Sequence, residues 1–186
     1  MSTHSRTTAA THVSHSPDPQ RVLRMIAKRS FATIATTSAA GRPHVGGILY
    51  DLVDRSLYGS TDLLSRKARN IAANPQVALA IPVRRLPIGP PAMIHFQSTA
   101  QIVTLDDPYL RELAATGKLP STTGHGELDR PGGCFVHIGL PDRLLTYALG
   151  MSLLQLIRHP LEASGTVSLA AVSGAGRPAA ACARHR

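Results

Sequence analysis

Seven short runs of β-forming residues, separated by turn residues, follow one another through most of the chain. They cover residues 31–37, 44–53, 57–60, 76–82, 93–105, 134–140 and 144–149. Six or seven strands with turns at short spacing predict an antiparallel barrel. The helical stretches are too few and wrongly placed for a parallel sheet, whose strands alternate with helices. The sequence therefore predicts a mainly β fold, a β-barrel with flanking helices.

The two ends of the chain differ in composition from its middle. Residues 1–16 are rich in Ser, Thr, Ala and His, and residues 173–186 are rich in Ala, Gly and Arg. Both compositions are typical of disorder, because such segments bury little apolar surface. We therefore expect one domain, residues 17–172, between two disordered tails.

Helix starts are indicated by polar residues that accept hydrogen bonds from free N–H groups. Asp18 and Asp107 each precede a proline, which is favoured at the first helical position. Ser65 precedes a helix whose apolar residues recur at spacings of three and four. Asn74 ends that helix, because the residue before a proline avoids the helical conformation.

The helix after Ser65 begins with an unusual charge pattern. Arg66 and Lys67 fall in its first turn, and Arg69 follows. Cations are unfavourable at a helix N-terminus, which already carries partial positive charge. A bound anion would reverse this effect, because the free N–H groups at a helix start bind phosphate. Two interpretations stay open at this point: a phosphate site, or a solvated basic helix end.

The composition and net charge of the chain limit the classes of molecule that it can bind. The chain of 186 residues has a formal net charge of +9, which favours an anionic ligand. Nucleic acid is disfavoured, because aromatic residues make up only 4 % of the chain and no Trp is present for base stacking. The sequence contains two cysteines, no apolar run of membrane-spanning length and no secretory signal. We expect a cytoplasmic protein with no membrane or nucleic-acid partner.

Two Cys-x-x-His pairs have a spacing that resembles metal ligation. Cys134 and His137 fall in a predicted strand, where residues three apart point to opposite faces. The second pair, Cys182 and His185, lies in the C-terminal tail. Zinc requires four converging ligands, so we predict no metal site.

Four short segments occur in a characteristic order. They are Phe31-Ala-Thr-Ile-Ala-Thr, Gly41-Arg-Pro-His-Val, Ser65-Arg-Lys-Ala-Arg-Asn-Ile and Asn74-Pro-Gln-Val-Ala-Leu. Their order and spacing resemble the pyridoxamine 5′-phosphate oxidase-like flavin-binding split-barrel family, over residues 20–150. The resemblance implies a split β-barrel of the FMN-binding type, antiparallel and Greek-key-like. It also implies a homodimer with flavin bound at the subunit interface.

The resemblance further implies a cofactor site. In this family the Ser-Arg-Lys segment supplies phosphate ligands, and the end of the preceding strand adds hydroxyl groups. The second strand lies against the flavin ring through its backbone, and glycine there permits close approach. The eight corresponding residues here are Gly47, Ile48, Leu49, Ser60, Thr61, Ser65, Arg66 and Lys67.

Three positions depart from the true pyridoxamine phosphate oxidases. Those enzymes carry an Arg and a Lys flanking the apolar core of the second strand, and the matching residues here are Val45 and Tyr50. The flavin-contacting Gln of the fifth strand is matched by Met93. Vitamin B6 oxidation is therefore disfavoured. A branch that uses a deazaflavin coenzyme, or a general FMN reductase branch, fits better.

The predicted function is that of an oxidoreductase acting on a small organic substrate, with bound FMN or, alternatively, the deazaflavin coenzyme F-420. A non-catalytic flavin- or haem-binding protein of the same fold is the alternative. We expect the substrate to enter near two loops, residues 84–92 and 116–133. His44 and His95 are either proton donors near a flavin or ordinary strand histidines, and no catalytic residue is identified.

Overall fold

The computed structural model describes residues 17–84 and 92–170. The strands are β1 (Phe31–Thr37), β2 (Pro43–Val53), β3 (Ser56–Asp62), β4 (Gln76–Val83), β5 (Ala92–Thr104), β6 (Gly133–Gly139), β7 (Arg143–Tyr147) and β8 (Ser164–Ser168). The helices are α1 (Pro19–Ala27), α2 (Arg66–Ala73), α3 (Pro108–Ala115), α4 (Pro120–Thr123) and α5 (Leu153–Arg158). Two 3-10 helices cover Glu127–Asp129 and Pro160–Glu162.

The first six strands form a closed antiparallel barrel. Neighbours follow the order β4-β1-β2-β3-β6-β5, and pairing of β5 with β4 completes the ring. β7 and β8 extend the sheet from β5. Along β5 the partner changes, since residues 93–95 pair with β7 and residues 100–104 pair with β6. The mainly β class and the split-barrel fold are therefore confirmed.

Two apolar cores lie on opposite faces of the barrel wall. Inside the barrel, alternate strand residues pack with Val22 and Ile26 of α1 and with Ile71 of α2. Outside it, Tyr58 of β3 and Phe135 of β6 pack against the leucines of α3. β3 and β6 are thus covered on both faces, as is the end of β2 at Asp51 and Val53. The outward residues of β1, β4, β5 and the first part of β2 are half-buried or exposed.

The helix boundaries follow the local signals of the sequence. The Asp18 carboxylate accepts the N–H groups of Gln20 and Arg21 at 3.1 Å. Ser65 caps α2, and Asp107 caps α3. These three helix starts are confirmed, because each signal acts within a few residues of its cap. β4 pairs with both β1 and β5.

β8 is absent from the strands that the sequence predicts. Its five residues include one large apolar side chain, the buried Val167. Pairing with β7 makes this segment a strand, from Arg143 opposite Ser168 to Tyr147 opposite Ser164. The structure therefore has eight strands within the described residues rather than six or seven.

The segment 116–133, which the sequence predicts as a loop, has helical structure of its own. It contains α4 and a 3-10 helix. The buried carboxylate of Asp51 on β2 accepts the N–H groups of Ser121 and Thr122 at 2.9–3.1 Å, and the Thr122 hydroxyl at 2.7 Å. This side chain joins β2 to a segment seventy residues further along, so a local sequence pattern could not reveal it.

Several sequence predictions lie outside the described residues. They are the two tails, 1–16 and 173–186, most of the loop 84–92, and the pair Cys182 and His185. Among the helices that the structure does describe, none has the length and apolar character needed to cross a membrane.

Candidate functional site

Five of the eight predicted cofactor residues line one open pocket. Its volume is about 380 Å³, and its lining consists of Phe31, Gly47, Ile48, Leu49, Ser60 and Lys67. β2 contributes three of these residues, and β1, β3 and α2 contribute one each. The other three predicted residues lie beside the pocket in the chain without lining it.

The β2 residues of the pocket alternate in direction, as strand residues do. Leu49 is 46 % exposed, whereas the side chain of Ile48 is buried in the barrel core. Ile48 fills the space above Gly59, where an added Cβ would lie 2.5 Å from its Cδ1. Ile48 therefore offers the pocket its backbone, as the resemblance implies, and Leu49 offers an apolar side chain.

Lys67 places a half-buried ammonium group at the pocket. Burial lowers its pKa, and proximity to Cys134 acts weakly in the opposite direction. No carboxylate of the described residues forms an ion pair with it. A cation withdrawn from water without a counter-charge is unfavourable, and a bound anion would remove that cost.

The three predicted residues that do not line the pocket lie near the end of β3, at Thr61, and at the start of α2, at Ser65 and Arg66. The Ser65 hydroxyl oxygen accepts the N–H of Ala68 at 3.2 Å and lies 3.2 Å from the Thr61 hydroxyl. Both hydroxyl groups are therefore already engaged with protein. Arg66 is exposed. No acidic residue occupies the first turn, so the positive end of the helix dipole is uncompensated.

Two residues near the pocket were not among the predicted cofactor ligands. Phe31 lines it directly, 47 % exposed. His44 lies close to Lys67, because a Cβ added to Gly46 would be 3.6 Å from His44 Nε2 and 3.7 Å from Lys67 Cε. Strand alternation could have placed His44 and Gly46 on one face, but their proximity to α2 depends on the tertiary fold.

The outward face of the barrel next to the pocket carries two shallow cavities. Their volumes are about 290 and 380 Å³, and they share His95, Ala78 and Leu79. Met93 and Val45 line the smaller cavity. His95 thus faces these cavities and does not line the pocket of Lys67.

The Cys-x-x-His pair on β6 is held apart by its surroundings. Cys134 is buried, and burial raises the pKa of its thiol to about 11. His137 packs against the ring of Tyr58, with ring centroids 5.1 Å apart, and burial lowers its pKa. Across the part of the chain that the structure describes, no three His, Cys, Asp or Glu residues come together as metal ligands.

A closed six-strand antiparallel barrel, extended by two strands and flanked by helices, defines this chain as a split-barrel protein. The sequence model of the family described as pyridoxamine 5′-phosphate oxidase matches residues 19–126. The chain belongs to that family. No curated protein matches the sequence.

Solved structures of the same fold share little sequence with this chain. HutZ, the haem storage protein from Vibrio cholerae, is 19 % identical over 67 % of this chain and 91 % of its own, with a TM-score of 0.56. A haem binding protein from Mycobacterium smegmatis is 16 % identical over 82 % of this chain and 58 % of its own, with a TM-score of 0.61. General Stress Protein 26 from Bacillus anthracis is 20 % identical over 69 % and 92 %, with a TM-score of 0.51. At these identities the likeness concerns the fold.

Proposed function

We propose that this protein is a flavin- or deazaflavin-dependent oxidoreductase whose cofactor binds in the pocket of Lys67. The observation that carries the proposal is the half-buried Lys67, which has no acidic partner among the described residues and shares a pocket with exposed apolar groups. A ligand with a flat apolar ring and an anionic tail satisfies both parts of this lining.

The residues present fit such a cofactor in three respects. Lys67 and the unopposed start of α2 favour a phosphate. Ser60 adds a hydroxyl group to the lining, and the backbone from Gly47 to Leu49 provides an extended edge for the ring. FMN or a deazaflavin would supply hydride transfer, and the protein would bind, orient and desolvate it.

Phosphate binding rests more on Lys67 than on Arg66. Lys67 lines the pocket and is half-buried, whereas the Arg66 side chain is exposed. Exposed ion pairs contribute about 0–1 kcal/mol, and a partly desolvated one contributes more. His44, close to the Lys67 stem, is a further donor available to an anion. Arg66 remains a proposed ligand of secondary weight.

Oxidation of vitamin B6 phosphates is not part of this proposal. Val45 and Tyr50 stand where the oxidases of the family carry cations. Val45 is 62 % exposed on the outward face, and Tyr50 is buried, with its hydroxyl donating to the Ile26 carbonyl at 2.9 Å. Neither side chain can pair with a substrate phosphate, which supports a different small organic substrate.

A homodimer is part of the proposal, because the outward barrel face is uncovered and its two cavities are lined mainly by uncharged residues, with Arg143 in one of them. Thr33, Ala80 and His95 lie side by side across β1, β4 and β5 in the strand register. Gly47 pairs with Thr33 on the other side, so this face is continuous with the pocket. A second copy packed here would cover the two shallow cavities and shield the cofactor ring from water.

The dimer is tested with Ala80→Glu, which places a charge in the centre of that face. We expect the variant to run as a monomer in light-scattering chromatography and to lose flavin affinity, because burying an unpaired carboxylate is unfavourable. Ala115→Glu, at an exposed position on α3, is the matched control. A parent protein that is monomeric at micromolar concentration contradicts the dimer.

The first measurement is a fluorescence titration of the purified protein with FMN and with coenzyme F-420, side by side. Tight binding of one cofactor selects the branch, and reduction of the complex by a nicotinamide donor or partner reductase then tests for turnover. Failure of both cofactors to bind contradicts the proposal. A complex that binds but is never reduced favours a non-catalytic carrier.

Haem binding is the second candidate, and His95 is the observation that favours it. His95 is half-buried between two cavities whose walls include Ala78, Met93 and Leu145. Imidazole is a common axial ligand of haem iron, and apolar walls suit the macrocycle. Two proteins of the same fold are described as storing or binding haem. A Soret band on haem addition that His95→Ala abolishes would support this candidate over the flavin.

A further inference from the structure

The ring of Phe31 lies directly over Gly47. In the β1–β2 register Phe31 pairs with Leu49 and Thr33 pairs with Gly47, so Phe31 and Gly47 are diagonal neighbours on the outward face. A Cβ added to Gly47 would lie 2.8 Å from Phe31 Cε2 and 3.1 Å from Cζ. The tip of the ring therefore occupies the space that a side chain at position 47 would need.

Phe31 is an aromatic residue without an aromatic neighbour. Tyr109 is similarly exposed, at 40 %, but its ring packs 6.5 Å from that of Tyr58. Within the described chain, no ring packs against Phe31, which leaves 47 % of the residue exposed and directed at the pocket. Aromatic rings gain from offset or edge-to-face contact with another ring, and the exposed part of Phe31 at the pocket is free to make such a contact with a ligand.

We infer that Phe31 is the aromatic wall of the pocket, and that the missing side chain of Gly47 holds it in place. This inference rests on the proposed function and makes it more specific. Lys67 and Ser60 select the anionic tail of the ligand, whereas Phe31 and Leu49 select a planar heteroaromatic ring. The role of Gly47 then differs from the one expected from the sequence, since it accommodates Phe31 and not the cofactor ring alone.

The two kinds of recognition can be separated with FMN and riboflavin, which share a ring and differ by the phosphate. The ratio of the FMN affinity to the riboflavin affinity reports the phosphate contacts. A change that lowers both affinities by the same factor reports the ring contacts. We expect Phe31→Ala to weaken both ligands about tenfold and to leave their ratio unchanged. Lys67→Met should weaken the binding of FMN and leave the binding of riboflavin unchanged, so that the ratio of the two affinities falls.

Two further variants test how the wall is held. Gly47→Ala should displace the ring and weaken both flavins as Phe31→Ala does, because its methyl group would lie within 3.1 Å of two ring atoms. Gly46→Ala adds the same group one residue earlier, where the nearest atom is 3.6 Å away, and is the steric control. Phe31→Leu keeps apolar volume but removes the ring, so it should resemble Phe31→Ala in affinity while retaining the parental melting temperature.

The titrations are read by flavin fluorescence, with coenzyme F-420 and its tail-free deazaflavin ring as the corresponding pair if the protein selects that cofactor. Equal loss of both ligands in Phe31→Ala and Phe31→Leu supports the inference. Parental affinities in both variants overturn it and leave the proposed function standing. A parent protein that binds none of the four ligands overturns both the inference and the proposed function. Circular dichroism of the parent protein then checks that it is folded, so that the failure is one of binding.

Discussion

Replacing Lys67 with methionine removes the charge of the pocket and keeps most of the apolar stem. The ammonium group is half-buried and forms no ion pair with an acidic side chain of the described residues. Hydrogen bonds to charged groups contribute about 1.5–3 kcal/mol. Each 1.4 kcal/mol corresponds to about tenfold in affinity, so the Kd for FMN should rise roughly 10- to 150-fold.

The same substitution should not destabilise the protein in the absence of ligand. Burial lowers the pKa of Lys67, which means that folding disfavours its charged form. That penalty is fully present below the folded-state pKa, declines as the pH rises above it, and is absent above the higher unfolded-state pKa. At neutral pH, Lys67→Met should therefore melt at the parental temperature or above it, while binding FMN more weakly.

The assay is isothermal titration with FMN, paired with thermal melts of the ligand-free proteins. Arg69→Met is the control, because Arg69 is an exposed cation on the same helix and should change affinity less than about threefold. An FMN affinity of Lys67→Met within twofold of the parent would refute the placement of the phosphate. A loss in Lys67→Met that Arg69→Met matches would instead indicate a general effect of net charge.

Three further predictions concern the fold around the site. Asp51→Ala should lower the free energy of unfolding by about 3 kcal/mol, because it leaves buried donors of α4 unpaired, whereas Asp142→Ala, an exposed carboxylate, should cost less than about 1 kcal/mol. Equal urea midpoints for the two variants would contradict this. Gly59→Ala should cost about 1–3 kcal/mol, since its Cβ would lie 2.9 Å from the Leu49 carbonyl oxygen, and Gly139→Ala, with open space, should be nearly neutral. Equal free energies of unfolding for the two alanine variants would contradict the close packing at Gly59. Cys134 should resist alkylation at about pH 8 in the folded protein, because burial raises its pKa to about 11, and rapid modification seen by peptide mass spectrometry would argue against its burial.

The sequence was informative wherever a signal and its effect lie close together in the chain. Asp18, Ser65 and Asp107 act on N–H groups two or three residues away, and all three cap their helices in the structure. The order of the strands could be predicted because each run is bounded by its own turn residues. Five of the eight proposed cofactor residues also meet at one pocket.

Features that depend on pairing between distant residues were not predictable. Ser164–Ser168 lacks strand character of its own and becomes β8 only beside β7. Phe31 begins a strand, and its position over Gly47 follows from a register that no local pattern sets. Asp51 looks like an isolated acid within an apolar strand, and its hydrogen-bond partners lie far along the chain.

The closure of the barrel has a consequence for how the chain folds. β1, β2 and β3 are joined by short turns and can pair early, but the pairing of β3 with β6 must wait, because α2, β4, β5, α3 and α4 lie between them in the chain. Closing such a long loop costs entropy before any contact compensates for it. β3 and β6 pair from Ser56 opposite Gly139 to Asp62 opposite Gly133, and we expect this pairing to form late. All six residues that line the Lys67 pocket lie between residues 31 and 67, so the pocket can assemble on β1, β2, β3 and α2 before β3 pairs with β6.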